Sequence, residues 1–275
     1  MISFLGPIKN DWRKVPALLD SIRRMFKIGS YEIILVDDGS DLTNQQILSN
    51  VVSKYPEITL LKNENTLGVI ASVNKISKAA RGDLLIPINA DIRFRSRFYL
   101  FYIIFVFSIF RSIQFCFMKT RSLDQDTGKV HGVVGWAPKK GRQSYKNVAE
   151  LVASGIIRVA GDACAYRKEW FIKSGGYDES LGPTADFYIN HLAVLQGSAW
   201  YSGKIATDNL VRANSYTSSV SAEKYEQLML MVVDKWEASG IHISEKEKKK
   251  LASYERTESL SNLRKLKTLG LKCTH

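Results

Sequence analysis

Apolar and polar positions in the first third of the chain follow the pattern of a parallel α/β protein. Short apolar runs alternate with longer stretches in which apolar residues recur every three or four positions. The runs predict strands and the periodic stretches predict helices, because these two elements bury their side chains with different periods. The predicted strands are 2–5, 31–36, 58–61 and 84–88, and the predicted helices are 15–26, 43–55 and 67–80. This β-α-β-α-β-α-β order implies a mostly parallel sheet with helices on both faces.

The rest of the chain is less regular. Residues 98–110 are uncharged and rich in aromatic side chains. A helix of this length spans only about 20 Å, which is short of the roughly 30 Å hydrocarbon core of a bilayer. We therefore expect a buried helix followed by a strand at 113–118, with Cys116 in the core, and not a transmembrane span. Further expectations are a long loop with a hairpin at 120–147, a strand at 156–166, and helices at 187–196, 221–239 and 245–269.

Charge is concentrated in one part of the sequence. The chain has 39 basic and 27 acidic residues, a net charge of +12, and residues 93–147 alone carry 11 basic and 2 acidic residues, a net charge of +9. Such a block suggests contact with phosphate or with an anionic membrane. We predict no nucleic-acid partner, because no basic motif is interleaved with aromatic residues. A salt-dependent mobility shift with random oligonucleotides would support a nucleic-acid partner instead.

Cysteine usage and the N-terminus indicate a compartment. The three cysteines have no C-x-x-C spacing and their number is odd, which argues against a disulfide framework or a structural zinc site. The N-terminus lacks the charged segment followed by an apolar segment that is typical of a signal peptide. We predict a cytoplasmic protein.

Candidate chemistry lies in polar turns that follow predicted strands. Asp37-Asp38 and Asn89-Ala90-Asp91 both stand at strand carboxyl ends, where α/β sheets bind ligands. Taken singly, each is more often a turn or a helix cap. A carboxylate in the first turn could accept an imide N–H of a nucleobase, and Asp91 could hold Mg²⁺ or Mn²⁺ at a diphosphate. Later, Asp186 opens a predicted helix, as a cap or as a general base.

Other catalytic signatures are missing. The sequence has no G-x-x-x-x-G-K-[ST] and no G-x-G-x-x-G after the first strand, which argues against a P-loop nucleotidase and a dinucleotide enzyme. It also lacks G-x-S-x-G and H-E-x-x-H. A sugar-1-phosphate nucleotidyltransferase would show a glycine-rich loop where this chain has Gly6-Pro7-Ile8-Lys9.

An ordered series of motifs resembles the inverting family 2 glycosyltransferases of the GT-A fold, over about residues 2–219. The family pattern P-x-Y-N corresponds to Pro7-Ile8-Lys9-Asn10, and V-D-D-G-S is present at 36–40. The later positions, at family spacing, are Asn65, Gly68, Asn74, Gly82, the D-x-D slot Asn89-Ala90-Asp91, the G-G-[FY]-D-E segment at 175–179 and the segment Thr184-Ala185-Asp186.

The resemblance implies a role for each motif. Nucleotide-sugar binding falls to Pro7, Ile8, Asn10, Asp37, Asp38, Gly68, Asn74, Asn89, Ala90 and Asp91. Within that set, Asp38 would hold the base, and Asn89 and Asp91 would contact sugar, ribose and a metal-bridged diphosphate. Asp186 would deprotonate the acceptor hydroxyl. A divalent cation, Mn²⁺ or Mg²⁺, would be held by Asp91, with Asn89 and Asn214 as further candidate ligands.

The same resemblance implies partners and a domain layout. The donor would be a nucleotide-sugar, with a UDP-sugar favoured, and the acceptor a glycan or lipid-linked glycan of surface polysaccharide biosynthesis, with peripheral contact at the inner face of the membrane. The layout would be a GT-A domain at 1–220, split into a nucleotide-binding half at 1–92 and an acceptor-side half at 93–220, then a helical extension at 221–275.

Three positions depart from the family pattern. Asn89 replaces the first acid of D-x-D, Ala185 precedes the predicted base in place of Glu, and Asn214 stands near the place of a late His. These departures motivate an alternative, a catalytically weakened GT-A domain that binds a glycan or a partner enzyme. We favour an active enzyme, because Asp91 and Asp186 are both present.

Overall fold

Residues 1–25, 30–211 and 220–253 are described by a computed structural model, in which a ten-stranded sheet lies between two layers of helices. The strands are β1 Ile2–Ile8, β2 Tyr31–Asp37, β3 Ile58–Lys62, β4 Leu84–Pro87, β5 Ile92–Phe94, β6 Phe115–Asp124, β7 Val130–Val134, β8 Gly141–Gln143, β9 Cys164–Arg167 and β10 Ala199–Val211. The helices are α1 Val15–Arg23, α2 Leu42–Lys54, α3 Val69–Ala79, α4 Tyr99–Ile109, α5 Val148–Ala153, α6 Lys168–Lys173, α7 Ala185–Leu195, α8 Ala222–Ala238 and α9 Glu245–Ala252.

The sheet has the strand order β3-β2-β1-β4-β9-β6-β10-β5. Its first half is parallel, since β1 pairs in parallel with β2 and β4, and β2 with β3. In the second half, β9 runs antiparallel to β4 and β6, and β10 runs parallel to β6 but antiparallel to β5 and β8. The predicted β-α-β-α-β-α-β order is therefore confirmed, and the carboxyl ends of β1, β2 and β4 meet at one edge.

Two apolar cores fill the two faces of the sheet. One joins the sheet to α3, α5, α7 and α8 and includes the fully buried Trp236; the other joins it to α1, α2 and α4 and includes the fully buried Trp12. The central strands are buried on both faces, which explains why they read as continuous apolar runs rather than as alternating ones.

Local sequence explains where several elements begin. Pro16 lies in the first turn of α1, where no backbone N–H is needed. The Asp41 carboxylate caps α2 by accepting from the N–H of Asn44 at 2.8 Å. Gly68 precedes α3 with a φ of 88°, which side chains other than glycine rarely adopt. Gly82 is needed for space, because a Cβ there would lie 2.5 Å from Ser3 Oγ.

In the second half of the chain, the structure confirms some predictions and corrects others. Residues 99–109 form a helix, the following strand buries Cys116, and no helix of the described residues is long and apolar enough to cross a bilayer. The 120–147 segment contains the expected hairpin, as β6 pairs with β7, and also the short β8. The strand predicted at 156–166 was wrong in extent. Only Cys164–Arg167 is a strand there, because residues 161–163 form a 3-10 helix packed against Asp186.

Predictions in two segments lie outside the described residues. They concern Asn214, Cys273 and the part of the predicted last helix beyond residue 253. The earlier part of that helix is described, as α9 Glu245–Ala252. The predicted domain boundaries stay a prediction.

Candidate active site

A cavity of about 630 Å³ lies at the carboxyl ends of β1 and β4. Residues predicted from the sequence to form the site line it together, namely Pro7, Ile8, Asn89, Ala90, Asp91 and Asp186. Other lining residues were not predicted, among them Lys9, Asp11, Gly161, Asp162 and Asn209. The predicted residues Asn10, Asp37, Asp38, Gly68 and Asn74 do not line the cavity, and each has a defined place around it. The ligand-binding roles of all these residues remain predictions.

The Asn89-Ala90-Asp91 turn is fixed by its own hydrogen bonds. The Oδ1 atom of Asn89 accepts from the backbone N–H of Asp91 at 2.9 Å, which closes the turn on itself. The guanidinium of Arg93 donates to the carbonyl of Ala90 at 2.7 Å, and the backbone N–H of Leu210 donates to the carbonyl of Asp91 at 3.1 Å. The turn therefore presents its side chains in a preset arrangement.

The Asp91 carboxylate is paired with a lysine that comes from before α1. Lys14 Nζ donates to Asp91 Oδ1 at 2.5 Å and to Gln125 Oε1 at 2.8 Å, and it lies 3.6 Å from Asp11 Oδ1. Asp11 and Asp91 both line the cavity, whereas Lys14 does not, so its ammonium pairs with carboxylates of the cavity wall without lining the cavity itself. Nothing in the sequence pattern pointed to Lys14, which lies 77 positions from Asp91.

Asp162 is a second acid that sequence reasoning missed. Its two carboxylate oxygens accept from Asn89 Nδ2 at 3.2 Å and from Asn209 Nδ2 at 2.6 Å. Burial and, next, the nearby Asp186 carboxylate raise the pKa of Asp162 to about 6, although the two amide donors oppose the shift. The available signal was a single acid in the mostly apolar run 156–166, which also contains Arg158.

Asp186 opens α7 at the rim of the cavity. Its Oδ1 accepts from the backbone N–H of Phe187 at 2.7 Å, within the first turn of the helix, where the peptide dipoles favour an anion. Asp186 is exposed to solvent on one side. The protein atoms around its carboxylate still desolvate it, and this desolvation raises its pKa. Gly161 packs directly on this carboxylate, since a Cβ at Gly161 would lie 2.7 Å from Asp186 Oδ2. A solvent-accessible carboxylate with a raised pKa suits a general base.

The Asp38 carboxylate organises the loop that leads into α3. It accepts from the backbone N–H groups of Leu67 at 2.8 Å and Gly68 at 2.9 Å, and from the side chains of Asn63 and Ser72. Burial alone would raise the pKa of Asp38, but these four donors outweigh it and lower the pKa. Asp38 is therefore an ionised anchor for the loop, and its predicted contact with a nucleobase stays a prediction.

Two further motif residues fix the loop after β1. The carboxylate of Asp37 accepts from the indole of Trp12 at 3.1 Å, which holds the segment that carries Lys14. Asn10 adopts a φ of 56° and its side chain accepts from the N–H of Asp41 at 2.9 Å. These contacts give both residues a positioning role.

Asn74 joins α3 to the segment between α6 and α7. Its Nδ2 donates to the carbonyl of Tyr177 at 2.7 Å, and its Oδ1 accepts from the N–H of the same residue at 2.9 Å. Gly176 fits beside it only without a side chain, because a Cβ there would lie 2.5 Å from Asn74 Oδ1. Tyr177 lines the cavity, so this clamp positions the segment that leads to Asp186. We call this pair of hydrogen bonds the Asn74 clamp.

The oxygen donors of the cavity fit a divalent cation poorly. Asp91 is paired with Lys14, and both oxygens of Asp162 already accept from amides. Across the described ranges, no three His, Cys, Asp or Glu side chains are grouped so as to share a metal. Asn89 turns its Oδ1 toward the backbone, and Asn214 lies outside the described residues.

Comparisons with known proteins agree with this geometry. Residues 3–103 match the family model described as Glycosyl transferase family 2. The resemblance noted from the motifs is therefore confirmed over residues 3–103.

Among curated proteins, the undecaprenyl-phosphate 4-deoxy-4-formamido-L-arabinose transferase of Yersinia pestis is 32% identical over 99 residues, 34% of this chain and 29% of that protein. The chain thus matches less than a third of the length of such relatives.

Two solved structures show the same fold over nearly the whole chain. Staphylococcus aureus TarS 1-349 in complex with UDP-GlcNAc aligns with a TM-score of 0.69 at 18% identity, covering 98% of this chain and 77% of that one. The mannosyltransferase PcManGT from Pyrobaculum calidifontis, in complex with GDP-Man and Mn²⁺, aligns with a TM-score of 0.61 at 14% identity, covering 98% and 80%. The predicted fold class, a GT-A α/β sheet flanked by helices, is confirmed.

Proposed function

We propose that this chain transfers a sugar from a nucleotide-sugar, a UDP-sugar first among candidates, to a hydroxyl of a glycan or lipid-linked acceptor, with inversion at the anomeric carbon. One observation carries this proposal: the Asp186 carboxylate and the Asn89–Asp91 turn face one cavity at the edge of the parallel strands. The match of residues 3–103 to the glycosyl transferase family 2 model and the curated relatives named as sugar transferases support it.

The chemistry follows from the placement of these groups. The acceptor hydroxyl gives its proton to the Asp186 carboxylate while its oxygen forms a bond to the anomeric carbon. The bond from that carbon to the diphosphate oxygen breaks on the opposite face, and the electron pair leaves with the nucleoside diphosphate. Asp186 needs to be ionised to accept the proton, which the first turn of α7 favours.

A direct experiment would screen UDP-, GDP- and dTDP-sugars for binding by thermal shift, because a ligand of the folded state raises the melting temperature. The best donor would then be assayed for release of nucleoside diphosphate with glycan and polyprenyl-phosphate acceptors. We expect Asp186→Asn to keep donor binding and to lose transfer. If the variant transfers at the wild-type rate, the assignment of the base is wrong.

The same experiment tests the alternative of a binding module. A weakened site would bind donor without any transfer, whichever acceptor is offered. This alternative is not favoured, because the cavity keeps Asp186 and Asp91 facing it and the relatives are transferases.

We propose further that helix α4 contacts an anionic membrane, where a lipid-linked acceptor would reside at the cytoplasmic face. Its exposed face carries a stripe of large apolar side chains with exposed fractions of 48–61%, namely Phe98, Phe101, Phe105 and Ile109. Exposed arginines lie near both ends of this stripe, Arg95 and Arg97 at one and Arg111 at the other. Apolar side chains framed by cations match the interface of an anionic bilayer.

Vesicle sedimentation tests this contact. We expect binding to vesicles of phosphatidylcholine with phosphatidylglycerol, less binding to phosphatidylcholine alone, and a loss of binding in Phe101→Ser/Phe105→Ser. Leu230→Ser is the matched control, because Leu230 is a similarly exposed apolar residue on α8. Equal binding by the double variant and the control would contradict the proposal.

A further inference from the structure

The ammonium of Lys14 occupies surroundings made of side-chain oxygens from three separate segments. Asp91, Gln125 and Asp11 each place an oxygen near it, at 2.5, 2.8 and 3.6 Å. Carboxylate and amide oxygens are also the ligands that a hard divalent cation prefers. In this chain the ammonium of Lys14 already lies beside Asp91, the carboxylate that a metal ion would need.

The position of Lys14 is held by the surrounding structure rather than by its own flexible side chain. The preceding Trp12 is fully buried, and its indole donates to Asp37. The guanidinium of Arg93 donates both to the carbonyl of Lys14 at 3.3 Å and to the carbonyl of Ala90 at 2.7 Å. One arginine therefore fixes the lysine backbone relative to the Asn89–Asp91 turn.

The charges at this end of the cavity also differ from those of a D-x-D turn. Two acids in such a turn would carry a charge of −2, which repels a diphosphate until a metal ion binds. Here Asn89 removes one negative charge, and Lys14 offsets one of the two carboxylates beside it, Asp91 and Asp11. A second cation, Lys9, lines the same cavity and donates to Thr66 at 3.0 Å.

We propose that Lys14 supplies the positive charge that receives the donor diphosphate, so that nucleotide binding does not require a divalent cation. This inference rests on the proposed function, because it concerns the binding of the same donor. On nucleotide binding, the ammonium exchanges part of its contact with Asp91 and Asp11 for a phosphate oxygen. Lysine is suited to this exchange, since its ammonium is a point charge with three donors on a flexible stem.

Calorimetric titration with UDP, GDP and dTDP tests the proposal on the whole chain. Each nucleotide is titrated after treatment with EDTA and again in excess Mn²⁺. We expect the same nucleotide to bind with a dissociation constant that changes less than about threefold between the two conditions. The Lys14→Met variant should bind about 10–100-fold more weakly in EDTA, which is the loss expected for one charge-assisted hydrogen bond.

The Lys54→Met variant is the matched control, because Lys54 is an exposed lysine near the end of α2, away from the cavity. A second readout needs no nucleotide. The electron paramagnetic resonance signal of free Mn²⁺ should persist when wild-type protein is added, and should decrease with Lys14→Met, because that variant releases Asp91.

The outcomes separate this inference from the proposed function. Nucleotide binding that is lost in EDTA and restored by Mn²⁺ would overturn the role of Lys14 and leave the proposed function intact. A wild-type protein that removes Mn²⁺ from solution, in a way that Asp91→Ala abolishes, would overturn it as well. If no nucleotide binds in either condition, the proposed function fails and this inference fails with it.

Discussion

Replacing Asn74 by alanine tests whether the Asn74 clamp, which joins α3 to the backbone of Tyr177, stabilises the fold. The variant loses the hydrogen bonds to both backbone groups of Tyr177, at 2.7 and 2.9 Å. Each bond contributes about 1 kcal/mol net, and each partly buried backbone group left without a partner costs about 1 kcal/mol more at the low end of the range. Alanine returns roughly 0.5 kcal/mol through its higher helix propensity.

The expected loss in the free energy of unfolding is therefore about 3.5 kcal/mol, or roughly 7–14 °C in melting temperature for a chain of this size. Chemical denaturation followed by circular dichroism measures the free energy of unfolding, and calorimetry measures the melting temperature. Asn50→Ala is the control, because Asn50 is an exposed asparagine inside α2. If Asn74→Ala costs no more than this control, the clamp does not stabilise the fold.

A double-mutant cycle with Gly176→Ala sharpens the test. In the wild type a Cβ at Gly176 would lie 2.5 Å from Asn74 Oδ1, and its φ of 68° adds backbone strain. In Asn74→Ala the clash disappears while the strain of about 1 kcal/mol remains. We expect Gly176→Ala to cost at least about 1 kcal/mol less in that background, and additive effects would refute the contact.

Three further predictions concern the acids of the site. Asp186→Asn should lower transfer by about 10²–10⁴-fold with donor affinity unchanged, measured by product release; an unaffected rate would contradict its role as base. Because the pKa of Asp162 is raised to about 6, the folded state binds more protons than the unfolded state between pH 4 and 7. The free energy of unfolding, measured by denaturant titration, should therefore fall as pH rises from 4 to 7. In Asp162→Asn this dependence of stability on pH should be weaker. Asp38→Asn should cost about 1–3 kcal/mol in denaturation, because one amide cannot accept from both Leu67 and Gly68 as the carboxylate does; an unchanged midpoint would refute the anchor.

The parallel half of the fold could be predicted because local pattern and topology agree there. Continuous apolar runs mark strands that are buried on both faces, and polar turns follow them at the sheet edge. The helix at 99–109 and the core position of Cys116 followed from the same reasoning about length and polarity. The segment 156–166 was predicted wrongly, because a 3-10 helix at Gly161–Ala163 interrupts it and the strand begins only at Cys164.

Predicting the site was harder, because its contacts join distant positions. Motif residues indicated where the cavity lies, yet Asn74 and Asp38 turn out to hold loops by hydrogen bonds to backbone groups. A motif position can be needed to position the site without facing the cavity. Lys14 and Asp162 belong to no motif and meet the Asn89–Asp91 turn only through the fold, so no spacing in the chain could have pointed to them.

Part of the positive charge of residues 93–147 is paired with acids elsewhere in the chain, which a count of charges along the sequence does not show. Arg95 and Arg121 both donate to Asp208, at 3.0 and 2.7 Å, and Asp208 belongs to a later, acidic part of the chain. Burial alone would raise the pKa of Asp208, but these guanidinium groups outweigh it and keep the pKa low. Arg93 is likewise turned toward backbone carbonyls of the Asn89–Asp91 turn. Part of the block therefore neutralises or orders the protein itself. The two lysines beside the Asn89–Asp91 turn and its cavity, Lys9 and Lys14, lie outside the block altogether.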